Sequence, residues 1–150
     1  MLPSIASWPP LFIVRGASME PSLYDGDLLL VRKPRRALRR GHIVVIDTPR
    51  ENGPRWQVKR IVGLPGDSLA FEDGLLLING IPRPEPYLRG LPAYLGLDRM
   101  SFEVDEGHYF VLGDNRGHST DSRAYGAVEA SHISGLAAGR LWPIFRRSRR

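Results

Sequence analysis

Apolar residues along this 150-residue chain fall into short runs separated by glycine, proline and aspartate, a rhythm that predicts strands joined by tight turns. Residues 11–14 form the first run, which stops at Arg15-Gly16. The runs 28–31, 43–46 and 56–62 follow, the last being the most strand-prone because of its β-branched Val58, Ile61 and Val62. Asp25-Gly26-Asp27 reads as a hairpin turn ahead of residue 28, and Asp73-Gly74 as a hairpin between the runs 69–71 and 75–78. Asn79-Gly80 supplies another turn. A Pro- and Leu-rich excursion without a clear period covers 82–100, after which 102–104 and 109–112 resume the strand pattern. Only 128–138 has the composition of a short helix or helical turn. The N-terminal MLPSIASWPPLFIV is apolar but broken by Pro3, Pro9 and Pro10, and it falls short of the roughly 20 residues of a spanning helix. It also lacks the charged start and small-residue cleavage site of a signal peptide. Trp8, Leu11 and Phe12 suit an interfacial patch or a buried edge strand equally well.

Length and a hydrophobic content of 42% predict one domain over 1–150, with an apolar lead-in at 1–11 and a basic tail at 146–150. Sixteen glycines and thirteen prolines point to a mostly β fold. The absence of cysteine excludes disulfides, zinc–thiolate sites and a cysteine nucleophile. A net charge of +5 raises the question of nucleic acid. The charge is concentrated, however, in a cluster at 32–40 and in the four arginines of the tail, and without the tail the body is nearly balanced. We therefore expect no nucleic acid partner. A tail of this kind rests on an anionic membrane surface, at about 1 kcal/mol per Arg, or frays into solvent. The rival reading from another class is a noncatalytic basic module that binds nucleic acid or anionic lipid through both clusters.

Candidate chemistry begins at Ser18, in Gly16-Ala17-Ser18-Met19-Glu20-Pro21, where glycine and proline turn the backbone and can leave a hydroxyl exposed. Serine needs a base to become a nucleophile. His42, His108, His118 and His132 are scattered, none has metal-ligand spacing, and no G-x-S-x-G elbow is present. No metal or other cofactor is expected. Lysine is the other option, and the chain has only Lys33 and Lys59. Lys33 lies among arginines in a polar loop and stays charged. Lys59 lies inside the apolar VKRIV, where desolvation favours the neutral amine that a general base requires; a lysine snorkelling from a strand edge is the competing reading. A third element, residues 113–123, packs hydroxyls, carboxylates and guanidinium groups into one polar loop.

Taken in order, SMEPSLYDGDLLLV, VKRIVGLPGD, DGLLLINGIPRPEPYL and GDNRGHSTDSRAYG closely resemble the motif series of type I signal peptidases, the serine–lysine proteases of membrane surfaces. The resemblance runs from about Phe12 to Phe145. It implies coiled antiparallel β-sheets around a small barrel-like core, and hydrolysis of signal or leader peptides after small residues. It further implies Ser18 as nucleophile, Lys59 as general base and Ser119 as the group that orients the lysine amine. The Ser18 N–H is implied as an oxyanion donor. Gly16 stands where some members have a serine that completes the oxyanion hole. Asp121 and Arg123 match a bracing ion pair, and Gly113 a point of close backbone approach. An extended substrate would add to the edges at 11–14 and 57–59. Positions matching Val14, Met19, Leu23 and Val58 line shallow pockets for the small residues before the cut, with ordinary core packing as the alternative for each. The implied partner is a precursor protein or its signal peptide, on or near a membrane. The implied location of the catalytic domain is the extracytoplasmic face. Family members usually have an N-terminal anchor, and only a short apolar lead-in precedes the serine motif here. A soluble relative is the variant reading, such as the proteases that mature a metalloenzyme precursor. Self-cleaving repressors share the serine–lysine pair, but the seventeen residues before Ser18 leave no room for their DNA-binding domain.

Overall fold

The computed structural model describes residues 10–49, 51 and 55–142. Most of the apolar lead-in, including Trp8, and the basic tail at 146–150 lie outside the described residues.

Every predicted run forms a strand. These are β1 (Leu11–Ile13), β2 (Leu28–Arg32), β3 (Ile43–Asp47), β4 (Trp56–Gly63), β5 (Ser68–Glu72) and β6 (Leu75–Ile78). They continue with β7 (Ile81–Pro82), β8 (Met100–Glu103), β9 (His108–Leu112), β10 (Val128–Glu129) and β11 (Ile133–Trp142). A seven-stranded sheet runs in the order β1-β2-β11-β3-β4-β9-β10, and a four-stranded sheet in the order β7-β6-β5-β8. Adjacent strands are antiparallel throughout. The fold is thus mostly β, as composition and resemblance led us to expect. The 82–100 excursion is irregular apart from one 3₁₀ turn at Pro86–Leu88.

One expectation fails. Residues 128–138 are not helical: they contain β10, a single 3₁₀ turn at Ala130–His132 and the first part of β11. Their small residues gave a helix-like composition, but tertiary pairing overrides that preference. Strand β11 fits between β2 and β3, with Leu136 opposite both Arg32 and Val44. Gly135 permits the fit, since a Cβ there would run into Val31 and press on the Arg32 carbonyl. The described residues contain one α-helix, α1 (Ser122–Tyr125), started by Asp121, whose carboxylate accepts the Arg123 N–H.

Three buried apolar clusters hold the sheets in place. One centres on Phe71, Phe110 and Leu69 around the smaller sheet, and one on Ile46, Ile61 and Val111 within the larger sheet. The third gathers Val14, Met19, Leu23, Leu29, Val31, Val45 and Val58 beneath the Ser18 loop.

Candidate active site

Ser18 sits in the connection between β1 and β2. Its base is closed by two backbone hydrogen bonds of 2.8 Å, Val14 N–H to the Asp27 carbonyl and Gly26 N–H to the Val14 carbonyl. Gly16 and Gly26 adopt φ of +80° and +84°, a region glycine enters without steric cost. The loop packs down through Met19 and Leu23, both buried, which leaves Ser18 half-buried at its crest. Asn115 holds it from above: its backbone N–H donates to the Ser18 carbonyl at 2.9 Å and its side-chain amide to the Ala17 carbonyl at 3.0 Å.

Lys59 approaches from β4, where it pairs with the buried Val44 and is itself only 3% exposed. Its Nζ lies 3.0 Å from Ser18 Oγ. Among the described residues this is the hydrogen bond that engages the amine. Burial pushes the amine down to about 8; the Asp121 carboxylate opposes that shift and Arg123 adds to it. Only an uncharged amine can accept a proton, and burial enlarges that fraction near neutral pH.

The 113–123 loop encloses the pair. Asp121, 1% exposed, accepts from the Gly113 N–H at 3.0 Å and from Ser119 Oγ at 2.8 Å. Arg123 braces the same carboxylate with Nε at 2.9 Å. A Cβ on Gly113 would lie 2.5 Å from both the Ser119 Cβ and the Ser18 carbonyl oxygen, so only glycine lets the three backbones meet. Ser119 therefore stands beside the site with its hydroxyl turned to Asp121, and among the described residues no hydrogen bond joins it to Lys59. Gly16 offers no hydroxyl, and its N–H donates to Asp25 Oδ1 at 2.8 Å. Among the described residues no hydrogen bond engages the Ser18 N–H.

Val14, Met19, Leu23 and Val58 all belong to the one apolar cluster under the serine loop. Strand β1 is an edge of the large sheet. The β4–β9 ladder begins at Arg60 opposite Leu112, so the β9 side of Val58 and Lys59 lies beyond its last pair. None of the four histidines hydrogen-bonds Ser18 among the described residues, nor do these residues bring together three side chains able to hold a metal ion. No helix among them is long and apolar enough to cross a membrane.

Several supporting residues escape sequence reasoning. Arg60 makes a forked contact with Asp114, Nε to Oδ1 at 2.8 Å and a second nitrogen to Oδ2 at 2.7 Å, and stacks 3.9 Å from the Tyr87 ring centre. Asp114 in turn accepts from Ser22 Oγ at 2.5 Å, so one buried carboxylate ties β4 to the serine loop. Arg116 reaches the Gly113 carbonyl at 2.9 Å and pairs with Glu85 at 2.6 Å. The signal was the density of polar side chains in GDNR; their partners, 54 positions away for Arg60–Asp114 and 98 for Ala17–Asn115, could not be read from order alone. The Asp114 side chain is fully buried and that of Arg60 is 11% exposed. Asp114→Ala should therefore cost about 3–5 kcal/mol in urea unfolding, because it strands a buried guanidinium. A loss below about 1 kcal/mol, typical of exposed pairs, would show that the pair does not brace the site.

A half-buried alcohol against a desolvated amine, enclosed by a polar loop, is an arrangement chemically able to perform serine–lysine hydrolysis. The sequence comparisons agree: residues 4–142 match the family model described as signal peptidase, peptidase S26, and the chain belongs to that family of serine endopeptidases. It is 38% identical over 144 residues to signal peptidase I of Bacillus licheniformis, across 89% of this chain and 76% of that protein. It is 31% identical over 154 residues to signal peptidase IB of Staphylococcus aureus strain COL, across 89% of this chain and 78% of that protein. The crystal structure of a signal peptidase I from Enterococcus faecalis V583 superposes with a TM-score of 0.58 at 32% identity, covering 67% of this chain and 97% of that one.

Proposed function

We propose that this chain, as a single peptidase domain, removes signal peptides from precursor proteins, with Ser18 as nucleophile and Lys59 as general base. The 3.0 Å contact between Lys59 Nζ and Ser18 Oγ, made by an amine held near pH 8, supports this reading most directly. An extended precursor segment joins β1 and the free side of β4 by strand addition, which brings its scissile carbonyl between the two side chains. The small residues before the cut rest against the surface formed over Val14, Met19, Leu23 and Val58.

The neutral amine accepts the Ser18 proton as Oγ attacks the carbonyl carbon, and the Ser18 N–H stabilises the resulting oxyanion. The ammonium then gives its proton to the departing amine, leaving an acyl-serine. Water, deprotonated by the same lysine, hydrolyses that ester and restores the hydroxyl. Ser119 orients the amine once its hydroxyl turns from Asp121 toward Lys59, and the Asp121–Arg123 ion pair braces the loop that carries it. Gly113 allows the loop to close on the serine. The setting is a membrane surface, with the catalytic domain on its extracytoplasmic side.

The proton inventory sets the pH dependence. The active form has an uncharged amine, so kcat/KM for a small-x-small peptide should climb about tenfold per pH unit below pH 8 and level off above it. A profile flat between about pH 6 and 9 would assign the proton transfer to another group.

A further inference from the structure

Away from the dyad, the loop after β2 borders an open pocket of about 490 Å³ lined by Arg32, Arg35, Arg36, Arg39, His42 and Leu136, with no carboxylate in its wall among the described residues. The neighbouring Arg40 is satisfied, forking onto Asp67 at 2.7 Å. Among the described residues no ion pair or hydrogen bond engages the other four guanidinium groups. Burial is the main cause that pushes His42 below its ordinary value, and the charges of Arg39 and Arg32 add to it. Four exposed arginines that border one pocket, without a counter-charge among the described residues, suit a phosphate, which accepts forked hydrogen bonds from arginine.

The surface beside this cavity shows what presents the phosphate. Strand β1 places Leu11 opposite Leu30 and Ile13 opposite Leu28, and Leu11 and Ile13 remain 52% and 47% exposed. Arg32 follows Leu28 and Leu30 at two-residue spacing and so occupies the same face of the sheet. An exposed apolar strip therefore runs into a cationic pocket, the arrangement of a surface that meets acyl chains and headgroups together. Among the described residues no Phe, Tyr or Trp lines the pocket to stack a base, which disfavours RNA.

We propose that Arg32, Arg35, Arg36 and Arg39 form a binding pocket for the phosphate of an anionic phospholipid headgroup. The pocket goes beyond the peptidase reading and does not depend on it, since neither Ser18 nor Lys59 lines it.

The test compares binding of the full chain to vesicles of phosphatidylcholine mixed with phosphatidylglycerol and to vesicles of phosphatidylcholine alone. Wild type should prefer the anionic vesicles. The exposed triple variant Arg35→Gln, Arg36→Gln, Arg39→Gln should lose that affinity by a factor on the order of 100, at roughly fivefold per arginine, while cleaving a soluble peptide at the wild-type rate. Triple replacement by lysine should recover only part of the loss, because a point charge does not fork onto phosphate. Unchanged affinity in the glutamine variant would place binding elsewhere, for example in the arginine tail, and overturn the pocket. Tighter binding of a single-stranded RNA oligonucleotide than of the anionic vesicles, or of inorganic phosphate with no vesicle binding, would overturn the lipid assignment. Were every form to bind lipid as described yet cleave no peptide, only the peptidase reading would fail.

Discussion

Ser18→Ala and Lys59→Met should each lower kcat for a small-x-small peptide by a factor on the order of 10⁴ or more, with the fold intact. Neither half of the pair works alone: an unassisted serine hydroxyl holds its proton, and an amine without the alcohol has nothing to activate. Methionine is the informative replacement for Lys59, because it keeps much of the lysine volume in a site that is 3% exposed and removes only the base. The variant should be no less stable than wild type below about pH 8, where wild type must hold a buried ammonium. Single-turnover assays with a peptide substrate, beside circular dichroism, separate lost chemistry from lost fold. Retention of more than about a tenth of the wild-type rate in either variant would remove the pair from the chemistry.

Among the described glycines, Gly113→Ala should be the replacement that lowers kcat most, because its methyl falls between the two loops of the site. Its added carbon would sit 2.5 Å from both Ser119 Cβ and the Ser18 carbonyl, distances that real Cβ atoms do not tolerate. On one side lies the loop pinned by Asp121 and Arg116, on the other the serine turn pinned by Asn115, so neither can retreat freely. A displacement of about 1 Å at a nucleophile costs on the order of 10²-fold, and that is the fall expected in kcat. Gly117→Ala is the control: it changes the same loop by the same methyl but meets only the far end of Leu95, at 3.0 Å. Equal activity in the two variants would show that the loop yields and that close approach is not required.

Much of this site could be read from the residue order, for physical reasons. Strands buried on both faces advertise themselves through near-continuous apolar runs, and β4, buried from Gln57 to Gly63, did so most clearly, which made Lys59 conspicuous as a titratable group among Val58, Ile61 and Val62. Ser18 was marked by the glycine and proline around it, and the ordered motifs tied it to Lys59. The buried braces were hidden. Arg60 looks like a solvated neighbour of Lys59 until Asp114 is seen 2.7 Å away. Asn115 looks like a turn residue until its two bonds to the serine loop are drawn. Strand β11 was misread because its alanines and glycines matter for what they let in, the backbones of β2 and β3, rather than for what they prefer.

The position of β11 also bears on when the enzyme becomes active. The hairpin bearing the alcohol and the ribbon bearing the amine do not touch as neighbours in the sheet; the last strand among the described residues is the wedge between them. A ribosome must therefore release the chain as far as Trp142 before the two reactive groups can be brought into register. Until that strand docks, the sheet that aligns the alcohol with the amine is incomplete.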